Sequence, residues 1–366
     1  MAYYRCNNLD EIATGSLANF KATISKPLVN LKAYFKATQE SGTPTPSTPL
    51  PISGWSEVKL TRCGANLCNQ AEIVSAYPTK YTVDTDGSIK TVGNLGLSDV
   101  LWTNKSKVSG VLNVIFVSKY QNTGSVGIRP KIIYTDGTNS VIYTTSTQDY
   151  STKTLLTTSS KTVDKIVVDY GTNNPTNFYL MVTLDTTAST FEAYNGNIVT
   201  IALGDTYYGG YVSQDKNGHR RLVVTYSELL DMGDLTWSNF AASDNIFRAT
   251  VPNCKLPIDN ADRKKGFLCS IYPPSSTVSL NANMTDKSLL RYNGWIVLRD
   301  TSYSDYTELA SGLSGAKLIY ELAEPIVIDL PDGEPITAFN GVNNIYNDSG
   351  ETSVQFVKSY LGKICT

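Results

Sequence analysis

Two Asp-Gly dipeptides, Asp86-Gly87 and Asp136-Gly137, each stand between short runs in which apolar and polar residues alternate. The first lies in "KYTVDTDGSIKTVG" (80–93) and the second in "PKIIYTDGTNSVIYTTS" (130–146). Asp-Gly in that setting is a hairpin signal, because a tight turn needs positive φ and glycine adopts it without a side-chain clash. The alternation recurs. "VDKIVVDY" (163–170) sets Ile166 and Val168 opposite Lys165 and Asp169, and "NFYLMVTLDT" (177–186) puts Phe178, Leu180, Val182 and Leu184 on one face. "GVLNVIFVSKY" (110–120) is almost continuously apolar, as a central strand buried on both faces must be. Short strands between such turns leave no room for long helices, so the fold class is all-β, with a sandwich built from these segments.

The flanks read similarly. Residues 19–38 form two strands, with Phe20, Ala22 and Ile24 on one face of the first and Leu31, Ala33 and Phe35 on one face of the second. Residues 196–226 form a long hairpin turning at 215–218, and "IFRATVPN", "GFLCSIY", "GWIVLRD" and "ETSVQFVKSY" add strands. "AKLIYELAEPIVIDLP" is a strand broken at Pro325. The one helix expected spans 304–315, capped by Asp305, with Glu308 as capping-box partner and Gly315 at its end.

"SGTPTPSTPLPISGW" (41–55) holds Pro44, Pro46, Pro49 and Pro51. Each proline pushes the preceding residue out of the α region, so the segment should be extended, covering ~25 Å over eight residues. A stiff spacer is preferred over a PxxP ligand or loose coil. The domain order expected is then a small β anchor with its connector (1–56), a jelly-roll sandwich (57–196) and a second β-rich domain with one short helix (197–366).

Charged residues make up 17% of the 366, below the ~25% of an average soluble domain. Lys+Arg 31 against Asp+Glu 33 gives no basic excess, which argues against nucleic acid as a partner. No run approaches the ~18 apolar residues of a membrane helix, and the first residues lack the apolar core of an export signal, so neither a membrane partner nor Sec export is expected. The six cysteines include no CxxC, and one histidine cannot complete a His/Cys zinc set, so free thiols and no metal are expected.

Catalytic signals are sparse. His219 sits by a turn in "KNGHRR" with no sequence mark of a nucleophile or orienting carboxylate, and reads as an exposed turn residue. Asp84 and Asp86 resemble the start of a calcium loop, but position twelve is Leu95 where a glutamate is needed, so a plain hairpin is preferred, with a calcium ion of a different, sandwich-type geometry as the alternative. "DRKKG" (262–266) reads as a solvated loop. Neutral hydroxyls and 23 tyrosines dominate the polar residues instead. Sugar rings stack C–H faces on aromatic planes, which makes Trp102, Tyr120, Tyr134, Tyr143 and Tyr150 the candidate glycan-binding residues; core or edge packing is the competing role for each.

"GSLANFKATISKPLVNLKAYF" followed by "SGTPTPSTPLPISGW" and Asn66-Leu67 resembles the N-terminal part of tail and baseplate structural proteins of long-tailed phages of Gram-positive bacteria. "TFEAYNG" (190–196) is similar to the signature closing their sandwich domain, and "DTYYGGYV", "LIYELAEP" and "GVNNIYNDSG" resemble later motifs in the same order. "LDTTAS" departs from the acidic segment that often precedes the closing signature, and "KSYLGKICT" matches none of its motifs. The resemblance implies a virion protein, assembled in the bacterial cytoplasm, with a jelly-roll like those of carbohydrate-binding modules, no enzymatic activity and no cofactor. It implies other virion proteins as partners of the N-terminal region, host surface polysaccharide as ligand, and a homo-oligomer, a trimer, since weak sugar sites gain from avidity. The alternatives are a purely structural virion protein and a glycan depolymerase, for which two carboxylates about 5–10 Å apart would suffice.

Overall fold

The computed structural model describes residues 10–15, 17–22, 27–93, 97–105, 111–119, 128–141, 151–156, 161–171, 177–188, 190–339 and 341–357. Its contacts divide the chain into two units. One comprises Met1–Leu31, Lys59–Thr200 and Pro335–Thr366; the other comprises Lys32–Val58 and Ile201–Glu334. The sequence expectation drew three consecutive segments with boundaries at 56 and 196. Strand pairing explains the different division: Asp10–Gly15 pairs with Thr352–Val357, and Ala18–Ala22 with Gly341–Asn347, so the first and last strands among the described residues close one unit together.

That unit contains the expected β-sandwich. Asn113–Lys119 lies between Ser151–Leu156 and Asn177–Thr183, with Ile89–Thr91 and Tyr81–Val83 completing its sheet. The facing sheet runs Asn139–Val141, Ile128–Tyr134, Val163–Gly171, Val100–Thr103. Side chains from both sheets share one core: Tyr81, Ile89, Phe116, Phe178 and Leu180 from the first, Leu101, Ile132, Ile166 and Val168 from the second. Phe116 and Phe178 meet at 5.7 Å between ring centroids. Each such side chain taken from water contributes roughly 1.5–3 kcal/mol. Both Asp-Gly hairpins form, with Gly87 and Gly137 at φ +80°. The alternation in 163–170 is realised: Ile166 and Val168 enter the core, while Asp169 faces out to Arg129 and Lys131.

A seven-residue helix, Gln70–Ala76, was not expected. It is too short for a 3.6-residue pattern to show, although Asn69, whose side chain accepts from the Ala71 N–H, is a usual N-cap residue.

The second unit takes Lys32–Lys36 of the strand Asn30–Lys36, which with Gly209–Asp215, Arg220–Tyr226 and Lys317–Leu330 forms successive neighbours in one sheet. Leu31, Ala33 and Phe35 are buried as the alternation requires. Pro325 does not end its strand. It falls where pairing with Arg220–Tyr226 jumps from Ile326↔Val224 to Glu321↔Tyr226. In that gap the Ala323 N–H donates to the Asn253 carbonyl and the Glu324 N–H to the Asn253 side chain. A second sheet orders Trp237–Ala241, Ile246–Thr250, Trp295–Arg299 and Ser288–Tyr292. The helix Tyr306–Gly312 packs Leu309 into the core under one face of that sheet. Asp305 caps it as expected, accepting from the Thr307 and Glu308 N–H groups, while Glu308 reaches back to the Ser304 N–H rather than to the cap residue.

The proline segment is not a spacer. Its ends are held together by pairing of Thr38–Gln39 with Ile52–Ser53. Within it Thr45 and Thr48 exchange backbone hydrogen bonds, and the Leu50 N–H donates to the Ser270 carbonyl. Prolines lack an N–H, and here they occupy positions between the donors in use, so the segment closes into a loop on its own unit. The sequence shows the prolines but not the distant Ser270 that the loop meets.

Candidate functional site

Of the five aromatic residues expected to meet glycan, Trp102 and Tyr134 are core residues of the sandwich, 8% and 6% exposed. The Trp102 indole N–H donates to the Leu67 carbonyl at 3.1 Å, and the Tyr134 hydroxyl to Ser140 Oγ at 3.2 Å. Both sit in the same sheet with their rings turned to the core, so neither offers a free plane. Tyr120, Tyr143 and Tyr150 lie outside the described residues.

The surface of the sandwich carries a different ring pair. In the strand Asn177–Thr183, Phe178 and Leu180 point into the core, which turns Asn177 and Tyr179 to the other face. Tyr179 meets the Phe191 ring at 4.7 Å, tilted by 54°, and both rings are half-buried. The Asp86-Gly87 turn abuts them. Asn177 Nδ2 donates to Asp84 Oδ2 at 2.9 Å and the Tyr179 hydroxyl to Asp86 Oδ2 at 2.6 Å, while Asp86 Oδ1 takes the Ser88 N–H. Gly87 is required twice over. Its φ is +80°, and a Cβ there would come within 2.8 Å of Ala193 Cβ. Phe191 and Ala193 belong to "TFEAYNG", so the closing signature and the first hairpin build one patch of two rings, two carboxylates and an amide.

A cavity of about 440 Å³ opens in the same unit, lined by Met181, Asp185, Glu192, Asn195, Lys21 and Phe339 among others. That volume lies in the range that small ligands occupy. Asp185 stays ionised there, held below the usual carboxylate range first by the Thr187 hydroxyl and then by the Thr187 N–H. Such fixed carboxylates accept hydrogen bonds from hydroxyl-rich ligands.

The histidine and the described cysteines are poorly placed for nucleophilic chemistry. His219 is an exposed turn residue, as expected, with Nδ1 3.0 Å from Asp332 Oδ2 and both side chains more than half exposed. Cys63, Cys68, Cys254 and Cys269 are free and buried; burial pushes the Cys63 thiol up to about 12 and Cys269 to about 11, well away from a thiolate at neutral pH. Among the described residues no group of three or more His, Cys, Asp or Glu is placed to hold a metal ion. Asp84 and Asp86 form the plain hairpin turn expected of them. "DRKKG" begins within a 3-10 turn, Ala261–Lys264, bonded to its neighbours: Arg263 Nη1 donates to the Val278 carbonyl and Lys264 Nζ to that of Ser276.

These features define an all-β protein with a sandwich that carries a ring-and-carboxylate surface. Compared with protein-family models, curated proteins and solved structures, the chain matches none.

Proposed function

We propose that this chain is a phage virion structural protein of the tail, baseplate or fibre type that binds host surface glycan without cleaving it. The supporting observation is the Tyr179–Phe191 ring pair flanked by Asn177, Asp84 and Asp86 on the sandwich surface. Aromatic faces take the C–H side of a sugar and the carboxylates accept hydrogen bonds from its hydroxyls. The motif order in the sequence supports the virion assignment. In this reading the N-terminal region contacts other virion proteins and the chain acts as a trimer, so that weak sites add through avidity.

A labelled, purified protein should bind host cells saturably, lose that binding when surface polysaccharide is stripped, and lose most of it in Tyr179→Ala or Phe191→Ala. Absence of wild-type binding at high multivalent concentration would reject the reading. A purely structural role draws support from one feature of the second unit: the strand Lys317–Leu330 exposes Ile326 and Val327 at 52% and 60%, an apolar stretch suited to another protein subunit. Binding only to particles that lack the protein would favour that role.

A further inference from the structure

The sheet formed by Trp237–Ala241, Ile246–Thr250, Trp295–Arg299 and Ser288–Tyr292 has two unlike faces. On one, Phe247, Ala249, Ile296 and Leu298 pack with Leu309 and Leu313 of the helical segment. On the other, Ile246, Leu290 and Val297 form a smaller core with Met284. The loop that brings Met284 is closed on itself by Ser276–Thr285 and Thr277–Asn283 hydrogen bonds. Beyond this small core, at the end of the same face, three half-buried rings stand in a triangle. Phe240–Tyr292, Phe240–Trp295 and Tyr292–Trp295 centroids are 6.0, 6.2 and 6.2 Å apart. Local geometry explains the triangle: Tyr292 is directly opposite Trp295 across adjacent strands, and the pairing shift between Asn239 and Ala241 places Phe240 at a bulge, which re-aims its side chain.

Two guanidinium groups lie on these rings. Arg248 is 4.2 Å from the Trp295 centroid and Arg263 is 4.7 Å from that of Tyr292. Their protein hydrogen bonds are few and neutral: Arg248 Nε to Ser238 Oγ at 3.4 Å, Arg263 Nη1 to the Val278 carbonyl at 3.1 Å. Among the described residues no carboxylate pairs with either, although the same unit pairs Arg291 with Asp262, Lys255 with Glu321 and Lys317 with Asp231. The neighbouring Lys264 is likewise bound by a carbonyl rather than by a carboxylate. Rings thus hold two guanidinium planes in place while leaving their charge and several donors unmatched. A planar fork pre-positioned in this way fits a carboxylate edge-on, and exposed ring surface beside it fits the C–H face of a pyranose.

We propose that this end of the sheet is a binding platform for an acidic saccharide, a sugar chain whose rings carry carboxylates, with Arg248 and Arg263 as its anion-recognising residues and Phe240, Tyr292 and Trp295 as its stacking surface. The platform is separate from the Tyr179–Phe191 patch and does not depend on it.

The test is calorimetric titration of the full-length protein with galacturonic acid oligomers and with neutral galactose oligomers of equal length. The acidic series should bind at least about tenfold more tightly, as expected for charge-assisted hydrogen bonds gained by one ligand and absent from the other. Arg248→Gln with Arg263→Gln should remove about that factor, with an unchanged thermal melt showing that the fold survives. Trp295→Phe should keep binding while losing the ligand-induced fluorescence change. Tyr179→Ala should leave acidic binding intact, which separates this proposal from the sandwich site. Equal affinity for both series, no acidic binding, an unaffected double glutamine variant, or full displacement by equimolar inorganic phosphate would each overturn it.

Discussion

The ring pair of the sandwich and the ring triangle of the second unit are built from the same side-chain types and differ in what surrounds them. Tyr179 and Phe191 are edged by Asp84 and Asp86, whose oxygens are already engaged by an amide and a phenol. Phe240, Tyr292 and Trp295 are edged by Arg248 and Arg263, whose charge no described carboxylate meets. A chain with a formal net charge of −2 can therefore present two surfaces of opposite local sign. Ring stacking is indifferent to sign, so the flanking charges are what would select between a neutral, hydroxyl-rich sugar and an acidic one. The overall charge balance, which argues against a polyanion partner for the whole chain, does not describe either surface.

The support beneath the two surfaces also differs, and the largest predicted effect follows from that. Beneath the basic surface Arg291 is 1% exposed and bonded by its guanidinium to the Lys255 and Asp262 carbonyls and to the Asp262 carboxylate, with Glu321 at 3.8 Å. Gly266, at φ +71°, lies so close that a Cβ would be 2.7 Å from the guanidinium carbon. Arg291→Ala would take the cationic partner from the partly buried Asp262 carboxylate, which keeps only the Ile258 N–H, and a donor from the Lys255 and Asp262 carbonyls, and should cost about 3 kcal/mol in urea unfolding. Because Asp262 would then lack its cationic partner and keep only the Ile258 N–H, its charge would act on the neighbouring Arg263, and the same variant should also lower acidic-oligomer binding. A variant that unfolds normally yet keeps that binding would show that the two sets of charges are independent.

The sandwich surface rests on a turn instead. Gly87→Ala must place a side chain at positive φ and against Ala193, which should cost about 1–3 kcal/mol and separate Phe191 from Tyr179. Host-cell binding should fall with it while acidic-oligomer binding does not. Tyr179→Phe is milder. It removes the hydroxyl bond to Asp86 at a half-exposed site and should change stability by less than about 1 kcal/mol. Its use is to separate stacking from hydrogen bonding: cell binding that survives Tyr179→Phe but not Tyr179→Ala assigns the work to the ring.

Much of this was legible in the sequence, and the gaps have definite causes. Asp-Gly between alternating runs located both hairpins because the signal is local: two residues decide φ. Alternation within 177–186 correctly sent Phe178 and Leu180 inward, and by the same step turned Tyr179 outward. The expectation placed on Tyr134 did not apply that rule, while for Trp102 the rule fails, because adjacent Leu101 and Trp102 both enter the core at a pairing irregularity. Tyr134 is two residues after the buried Ile132 and shares its face, as the burial of both shows. Two rings of the triangle were there to be read, since Tyr292 and Trp295 flank an Asn293-Gly294 hairpin turn; Phe240 was not, because it joins them only through the intervening strand Ile246–Thr250 and a bulge that neighbouring residues do not determine. The fate of the proline loop was hidden for the same reason: its partner Ser270 is far along the chain.

The smallest predicted effect compares two carboxylates, one in each unit. Asp169 in the sandwich is held below the usual carboxylate range first by Lys131 and then by Arg129. Asp231 in the second unit is held down first by Lys317, then by the Gly233 and Gly315 N–H groups. In both, the folded pKa lies below the unfolded value of about 3.9. Unfolding therefore takes up protons in acid, and each group's contribution is fully present above about pH 4 and lost as pH falls through the folded pKa. Asp169→Asn and Asp231→Asn should each melt lower than wild type at neutral pH, and both gaps should close in strong acid. Salt separates them. In about 1 M salt the screening length shrinks to ~3 Å, which should narrow the Asp169→Asn gap, since cationic side chains alone create it. The Asp231→Asn gap should persist, because fixed backbone donors share the load there. Equal salt sensitivity would mean that Lys317 alone sets Asp231, and that the two units hold their acids in the same way.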